Sequence, residues 1–381
     1  MVKVVAMTTS YFDVYVNVNY RIALMNALET ELEYPFGDAL PSPDAPMQIA
    51  PGIFWVRLEL PFRLNHINTW LIRDEVHGQP GWCVVDCGID QPSSRAQWES
   101  IFAHHLDGLP VVRVVVTHMH PDHIGLAHWI CSQWKAPMWI STTDFMTARS
   151  AMQLDIQYGG EAAAQFHARH GLLDESALKK VSTRGDYYRA LVPALPHQHH
   201  RLLDQAVLTL GQEDWVCLAG HGHSPEHMAL HSAQQGILIS GDMVLPRIST
   251  NVSVFDSEPE ADPLLLYMQS LERMRSLPAH TLVLPSHGRP FRGLHRRIEQ
   301  LQSHHHERLA ELAAACGTKA MCGMDAVELL FARDLDAHQL TFALGEAIAH
   351  LHTLWHQGQL TRAVDEAGVY RFKAKAEWSR S

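Results

Sequence analysis

The hydrophobic and polar patterning of the chain changes abruptly at Met47. From there, short β-rich runs ("GIFWVRLEL", "INTWLI" and "GWCVVDCGI") follow one another, separated by turn residues, and predict strands. Upstream, residues 1–46 carry mixed patterning and end in "ALPSPDAP", a Pro/Ser/Asp-rich breaker that reads as the close of an N-terminal extension. A helical stretch is expected near Ser93–His105, then a buried strand in "VVRVVV", then a helix beginning near Asp122. Strands followed by strand, loop and helix predict a sheet with helices packed on it, an α/β (α+β) chain.

Residues from about 142 to 205 break this rhythm with a largely helical pattern that includes "GEAAAQFHARHGLL" and "GDYYRALVPAL". Such an insertion amid strands reads either as cover for a site mouth or as ordinary surface packing. Strands resume in "AVLTL", "WVCLAGH", "MALHS", "GILISGD" and "HTLVLPSH". From about His295 the pattern is helical again in three segments, and "LTRAVDEAGVYRF" then reads as a two-stranded hairpin. The expected division is therefore an extension over 1–46, a main domain over 47–294 and a small winged-helix-like unit over 295–381.

Composition narrows the class. With 46 % hydrophobic and 19 % charged residues in 381, the chain is globular and long enough for a sizeable core. Neither a signal pattern at the start nor an apolar run able to span a bilayer is present, so a cytoplasmic protein without membrane association is expected. The six cysteines are scattered, and Cys83 and Cys87 read as buried thiols rather than a redox or metal pair. A net charge of −11 argues against general polyanion binding but leaves room for a small anionic substrate. Among 27 histidines, His304, His305 and His306 lie in a polar helical run, and His197, His199 and His200 lie in a loop after Pro196. Both groups read as solvated.

The chemistry concentrates in "VVVTHMHPDHIG". His118 and His120 follow a buried strand two positions apart, so in extended backbone both imidazoles point the same way and can bind one cation. Asp122 and His123 follow Pro121, a residue suited to a helix start, and can aim at a second cation. Two such sites need more ligands, and later strand ends offer them. "GHGHSPEH" carries His221, His223 and His227 in a glycine-rich turn, "SGD" places Asp242 where a carboxylate could bridge two cations, and "PSHG" places His287.

"THMHPDHIG", "GHSPEH", "SGD" and "PSHG", in this order, resemble the motifs of the metallo-β-lactamase-fold hydrolase superfamily over about residues 48–294. "NTWLI" and "VVDCG" resemble that family's N-terminal strand motifs. The resemblance implies an αββα sandwich with metals at one edge. It further implies His118, His120 and His223 on one metal, and Asp122, His123 and His287 on the other, with Asp242 bridging. His227 and Asp86 match positions that support the ligands without binding metal. Two departures stand out: Glu226, where many relatives have glycine, and His221, an additional histidine expected to face substrate.

That resemblance implies two divalent ions sharing a water whose pKa falls towards about 7, with Asp122 orienting the resulting hydroxide and shuttling its proton. The ligand set suits zinc best, with iron and manganese admissible. Asp242 sides with the glyoxalase II-like, RNA-processing and phosphodiesterase branches, away from the relatives that act on antibiotics. The expected activity is hydrolysis of a small ester, thioester or lactone; the alternatives are RNA or phosphodiester cleavage and a mononuclear iron persulfide dioxygenase. Arg247, Arg289, Tyr187 and Tyr188 are candidates for holding an anionic acyl substrate. The helix "DAHQLTFALGEAIAHLHTLWHQGQL" contains neither lysine nor arginine, so an interface or lid-supporting role is expected in place of nucleic-acid binding. Its apolar surface also offers a face for a homodimer.

Overall fold

The computed structural model describes residues 28–62, 64–153, 159–184, 187–331, 335 and 337–376. Residues 1–27 of the expected extension and residues 154–158 and 185–186 of the insertion lie outside the described residues. A seven-stranded sheet comprises β1 (Met47–Ala50), β2 (Ile53–Glu59), β3 (His66–Val76), β4 (Gln79–Val85), β5 (Val111–Val115), β6 (Met138–Ile140) and β7 (His200–Arg201), in that order. A five-stranded sheet comprises β8 (Val207–Leu210), β9 (Glu213–Gly220), β10 (His227–Ser232), β11 (Ile237–Gly241) and β12 (Leu282–Pro285), with β12 and β8 at its edges.

Side-chain alternation explains the layering. In β2, Ile53 and Trp55 join the core between the sheets, together with Trp215, Leu230 and Ile239 of the second sheet. Val56 and Leu58 point the other way and pack with Trp98, Ile101 and Ile130 of the outer helices. The second sheet repeats this scheme. Leu238 and Val283 turn outward against Leu271 of the helix Pro263–Met274 and Ile298 of the helix Leu294–Thr318. The result is a helix–sheet–sheet–helix sandwich. The central strands are buried on both faces, and for that reason "VVRVVV" reads as a continuous apolar run. Its one charge, Arg113, is buried against Asp74 at 2.8 Å.

The strand ends that matter lie together. β4 runs parallel to β5 with Val85 opposite Val115, and β11 runs parallel to β12 with Gly241 opposite Pro285. The carboxyl ends of these strands therefore open on one edge of the sandwich, where the backbone is freed from ladder pairing. Backbone bonds stitch the two sheets there: Met228 donates to the Thr117 carbonyl at 2.8 Å and Asn68 to the Ser286 carbonyl at 2.7 Å.

Asn68 of "NTWLI" is the buried clamp of this edge. Its side-chain amide donates to the carbonyls of Pro285 and Gly288 at 2.7 and 2.9 Å and accepts from the Trp55 indole at 2.8 Å. Replacing it by alanine strands these partners in the interior, at about 1–3 kcal/mol for each group left unpaired. Asn68→Ala is expected to destabilise the protein by about 3 kcal/mol in denaturant titration. A loss under about 0.5 kcal/mol, the scale of an inert surface change, would contradict the clamp.

The segment after β12 forms the helices Leu294–Thr318, Gly323–Leu330 and Ala337–His356, then the hairpin of β13 (Leu360–Val364) and β14 (Tyr370–Ala374). Leu344, Leu351 and Phe372 of this segment share one continuous core with Leu238 and Val283 of the second sheet. Residues near the start also pack on this side: Leu32 is buried, and Glu33 bridges to Arg292. Two histidine expectations need correction. His305 is buried, with Nδ1 3.2 Å from His350 Nε2, because the helix Ala337–His356 covers a face that its own polar helix leaves looking solvated. His199 is half-buried and stacks on Phe145 with ring centroids 4.2 Å apart. All six cysteines are buried free thiols. Among the described residues, no helix is long and apolar enough to cross a membrane.

Candidate metal centre

The short helix Pro121–Ile124 starts at once after the β5 loop, with Pro121 in its first turn and His120 still extended. It turns Asp122 and His123 toward the cleft already entered by His118 and His120. Gly125 makes this possible. A Cβ there would lie 2.5 Å from the Pro121 carbonyl oxygen and 2.7 Å from that of Gly88, so only glycine lets the helix sit on the Gly88 backbone. Gly241, at φ +52°, does the same before Asp242: a Cβ would lie 2.1 Å from His227 Nε2.

Three imidazoles converge at one side of the cleft. His118 Nε2 lies 2.9 Å from His120 Nδ1, which lies 3.0 Å from His223 Nε2, and the third side of the triangle is 3.2 Å. Tetrahedral ligands on zinc at about 2.05 Å stand about 3.3 Å apart, so this spacing is close to that of a chelating trio. On the other side, Asp122 Oδ2 lies 3.4 Å from His287 Nε2 and 3.7 Å from His123 Nε2. Asp242 spans both groups. Its Oδ2 is 3.3 Å from His223 Nε2, and its Oδ1 is 3.5 Å from the Nε2 atoms of both His123 and His287. His123 Nε2 and Asp242 Oδ1 are buried without a hydrogen-bond partner, a costly state for groups lacking a cation between them. The side chains thus fit two cations, with Asp242 shared.

The proton positions follow from what lies behind the ligands. Asp86 is buried at φ +62°, an uncommon conformation for a residue with a side chain. Its Oδ2 accepts from the Thr117 hydroxyl at 2.9 Å and from His123 Nδ1 at 2.8 Å, and its Oδ1 accepts from the Thr117 amide. Because the Thr117 hydroxyl proton points to Asp86, its oxygen accepts from His118 Nδ1 at 3.0 Å. One carboxylate therefore sets the tautomer of a ligand in each group, leaving both Nε2 lone pairs for metal. His223 Nδ1 donates to the Asn251 carbonyl and His287 Nδ1 to the His66 carbonyl, each at 2.7 Å, with the same effect. His227 Nε2 accepts from the Asp242 amide at 3.2 Å, so this ring holds the bridging residue and turns its lone pair away from metal.

All seven expected ligands meet in this cluster, with Asp86 and His227 behind it. His221 does not join them; its Nδ1 closes its own turn on the Pro225 carbonyl at 2.7 Å. Tyr188 is buried, and its hydroxyl donates to the Met119 carbonyl. A residue without a sequence signal is Asp144. It accepts from the Met119 amide at 2.9 Å and the Glu226 amide at 2.6 Å, tying the two histidine-bearing loops together. Burial raises its carboxyl to about 6 despite those bonds. Its place early in the helix Thr142–Gln153 resembles ordinary capping, which conceals the role.

Charge divides the two groups. Burial, then the neighbouring imidazoles, hold His118 far below and His120 down at about 3. Burial also opposes charge on His123 and His287, but the carboxylates win there: Asp86, Asp122 and Asp242 raise His123 well above its ordinary value, and Asp242 and Asp122 raise His287 to about 10. Protons on these two rings stand in for a cation at neutral pH. A metal binds only the unprotonated imidazole, so its entry must expel them. Calorimetric metal titration of the stripped protein near pH 7, in buffers of different ionisation enthalpy, should show about two protons released with the Asp122 side. Affinity there should fall about a hundredfold per unit decrease in pH. Heats independent of buffer would contradict this.

The cage forms the floor of a cavity of 290 Å³ whose walls are mainly apolar, including Phe62, Leu64, Leu191, Ile248 and Phe255. Phe342, from the helix Ala337–His356, completes the wall, so the C-terminal segment shapes the site.

Residues 63–287 match the model of the metallo-beta-lactamase superfamily, and residues 309–375 that of the metallo-beta-lactamase-like C-terminal domain. The chain belongs to the metallo-beta-lactamase superfamily and is a metallo-hydrolase. A beta-lactamase domain protein from Burkholderia ambifaria is 51 % identical, with a TM-score of 0.86 over 92 % of this chain and 100 % of that one. The metallo-beta-lactamase family protein TTHA1429 from Thermus thermophilus shares the fold at 24 % identity, TM-score 0.69, over 86 % of this chain and all of its own. Probable metallo-hydrolase YqjP of Bacillus subtilis is 22 % identical over 320 residues, 83 % of this chain and 96 % of that protein.

Proposed function

We propose that the protein is a dinuclear metal-dependent hydrolase of a small ester, thioester or lactone. The observation that carries this reading is the placement of the seven-ligand cage at the floor of a small, mainly apolar cavity. His118, His120 and His223 would hold one divalent ion and Asp122, His123 and His287 the other, with Asp242 between them; zinc suits this nitrogen and oxygen set. Bound there, the ions would supply Lewis acidity and a water acidified towards neutral pH.

The chain's own groups do the rest. The apolar walls hold the acyl group and exclude bulk water, which strengthens every charge interaction at the floor. Asp122 borders the cavity; burial raises its carboxyl, but His123 and His287 outweigh that and hold it at about 2, ionised at working pH. It is placed to take a proton from the attacking water and return it to the leaving group. The water oxygen bonds to the acyl carbon, the carbon–sulfur or carbon–oxygen bond breaks with its electron pair on the leaving atom, and that atom takes the proton.

The test is turnover by metal-loaded protein of a hexanoyl thioester, a p-nitrophenyl ester and a γ-lactone, set against bis-p-nitrophenyl phosphate and an oligoribonucleotide. Hydrolysis within the first group is expected. Activity confined to the phosphodiesters, or oxygen uptake with a persulfide, would replace this reading.

A further inference from the structure

A second cavity, of 590 Å³, adjoins the cage on the His287 side and shares Leu64, Ile248 and His287 with the apolar one. Its chemistry is different. Arg57, Arg247 and Arg289 line it, opposed by the carboxylates of Glu29 and Asp38. Arg289 is paired with Asp38 at 2.5 Å and lies 3.9 Å from Glu29, and Arg247 also lies 3.9 Å from Glu29. Arg57 has no such partner: among the described residues no carboxylate lies within ion-pair distance of it. Its guanidinium makes one long bond, 3.4 Å, to the carbonyl of Gly288, the residue after the ligand His287.

A guanidinium carries five N–H donors and binds oxyanions two at a time, so a half-buried one that uses a single donor is poised for a ligand. Burial and the nearby Arg289 already lower it to about 10. It projects from β2, whose backbone is paired along its whole length to β3, so the base of the side chain is held at the cavity wall. His66 adds no positive charge. Burial and the Arg57 charge hold it down at about 3, its Nε2 accepts from the Gly288 amide and its Nδ1 lies 2.9 Å from Asn65 Oδ1.

Building on the hydrolase reading, we propose that this cavity receives the leaving half of the substrate and that Arg57 anchors an oxyanion on it. The substrate is then an acyl ester or thioester with an apolar acyl half, seated among Phe62, Phe255 and Phe342, and a leaving half that bears a carboxylate or phosphate. The scissile bond lies over the cage, where the two cavities meet at His287.

Three thioesters differing only in the leaving group separate the possibilities: S-hexanoyl thioglycolate, S-hexanoyl 2-mercaptoethyl phosphate and the neutral S-hexanoyl thioglycolamide. Wild-type protein should prefer an anionic thioester over the amide by about tenfold or more in kcat/KM, and the better of the two identifies the oxyanion. Arg57→Gln should lose that preference through KM, with a loss at least tenfold greater for the anionic thioesters than for the amide; Arg57→Lys should retain part of it. Metal content and thermal midpoint are measured on each variant to exclude misfolding. Equal rates on all three thioesters, or an equal loss on all three in Arg57→Gln, would overturn the assignment. Calorimetric binding of S-hexanoyl thioglycolate to metal-stripped protein decides the anion site even if no thioester is turned over. Binding at least tenfold weaker in Arg57→Gln supports it, and unchanged binding removes it.

Discussion

Asp242→Ala should abolish hydrolysis and take metal with it. This side chain lies within 3.5 Å of ligand nitrogens from both groups, and its Oδ1 is buried without a hydrogen bond. Without it, two cations would face each other with no carboxylate between them, and His123 and His287 would lose a negative neighbour that favours positive charge on them. The expected loss in kcat/KM is on the order of a thousandfold or more, the scale on which a preorganised electrostatic group acts, with metal content falling to one equivalent or less. Full activity at full metal content in this variant would show that the cage is not where chemistry occurs.

Asp86→Asn should have the next largest effect although Asp86 touches no metal position. The carboxylate accepts three hydrogen bonds and, through Thr117, sets the tautomers of His118 and His123 together. An amide in its place offers one acceptor oxygen and directs N–H donors at groups that themselves donate. His123 would lose its orienting partner, and the Thr117 hydroxyl would be free to turn back on His118. Metal affinity should weaken by about ten- to a hundredfold, as is typical when a group that orients a ligand is removed, more on the Asp122 side than on the three-histidine side. Wild-type affinity at both positions would show that ring orientation is set elsewhere. The two variants also differ in kind: excess metal should restore much of the activity of Asp86→Asn and little of that of Asp242→Ala.

The candidate ligands are legible because most follow closely on the end of a strand, and local sequence marks those places well. "VVRVVV" before His118 and His120, "GILISG" before Asp242 and "TLVLP" before His287 are short apolar runs that end in polar residues. Parallel pairing then brings those ends to one edge. What stayed hidden depends on distant segments. Asn68 takes its role from carbonyls more than 200 positions away, and Asp144 from amides of two separate loops. His305 looks solvated in its own helix and is covered by another. Phe342 reads as core packing from its helix pattern, yet it walls the cavity above the cage. Arg57 lies in a strand where an isolated arginine gives no sign of facing a cavity; what sets it apart is its place in the cavity wall with no counter-ion among the described residues.

The two-cation cage is tested most directly by metal stoichiometry, measured by elemental analysis on wild-type protein reconstituted with zinc and dialysed against buffer. Two equivalents per chain are expected, falling to one or fewer in His118→Ala and in Asp242→Ala, with hydrolysis lost in parallel. One tightly held iron per chain accompanied by oxygen uptake, or wild-type metal content in either variant, would contradict the cage.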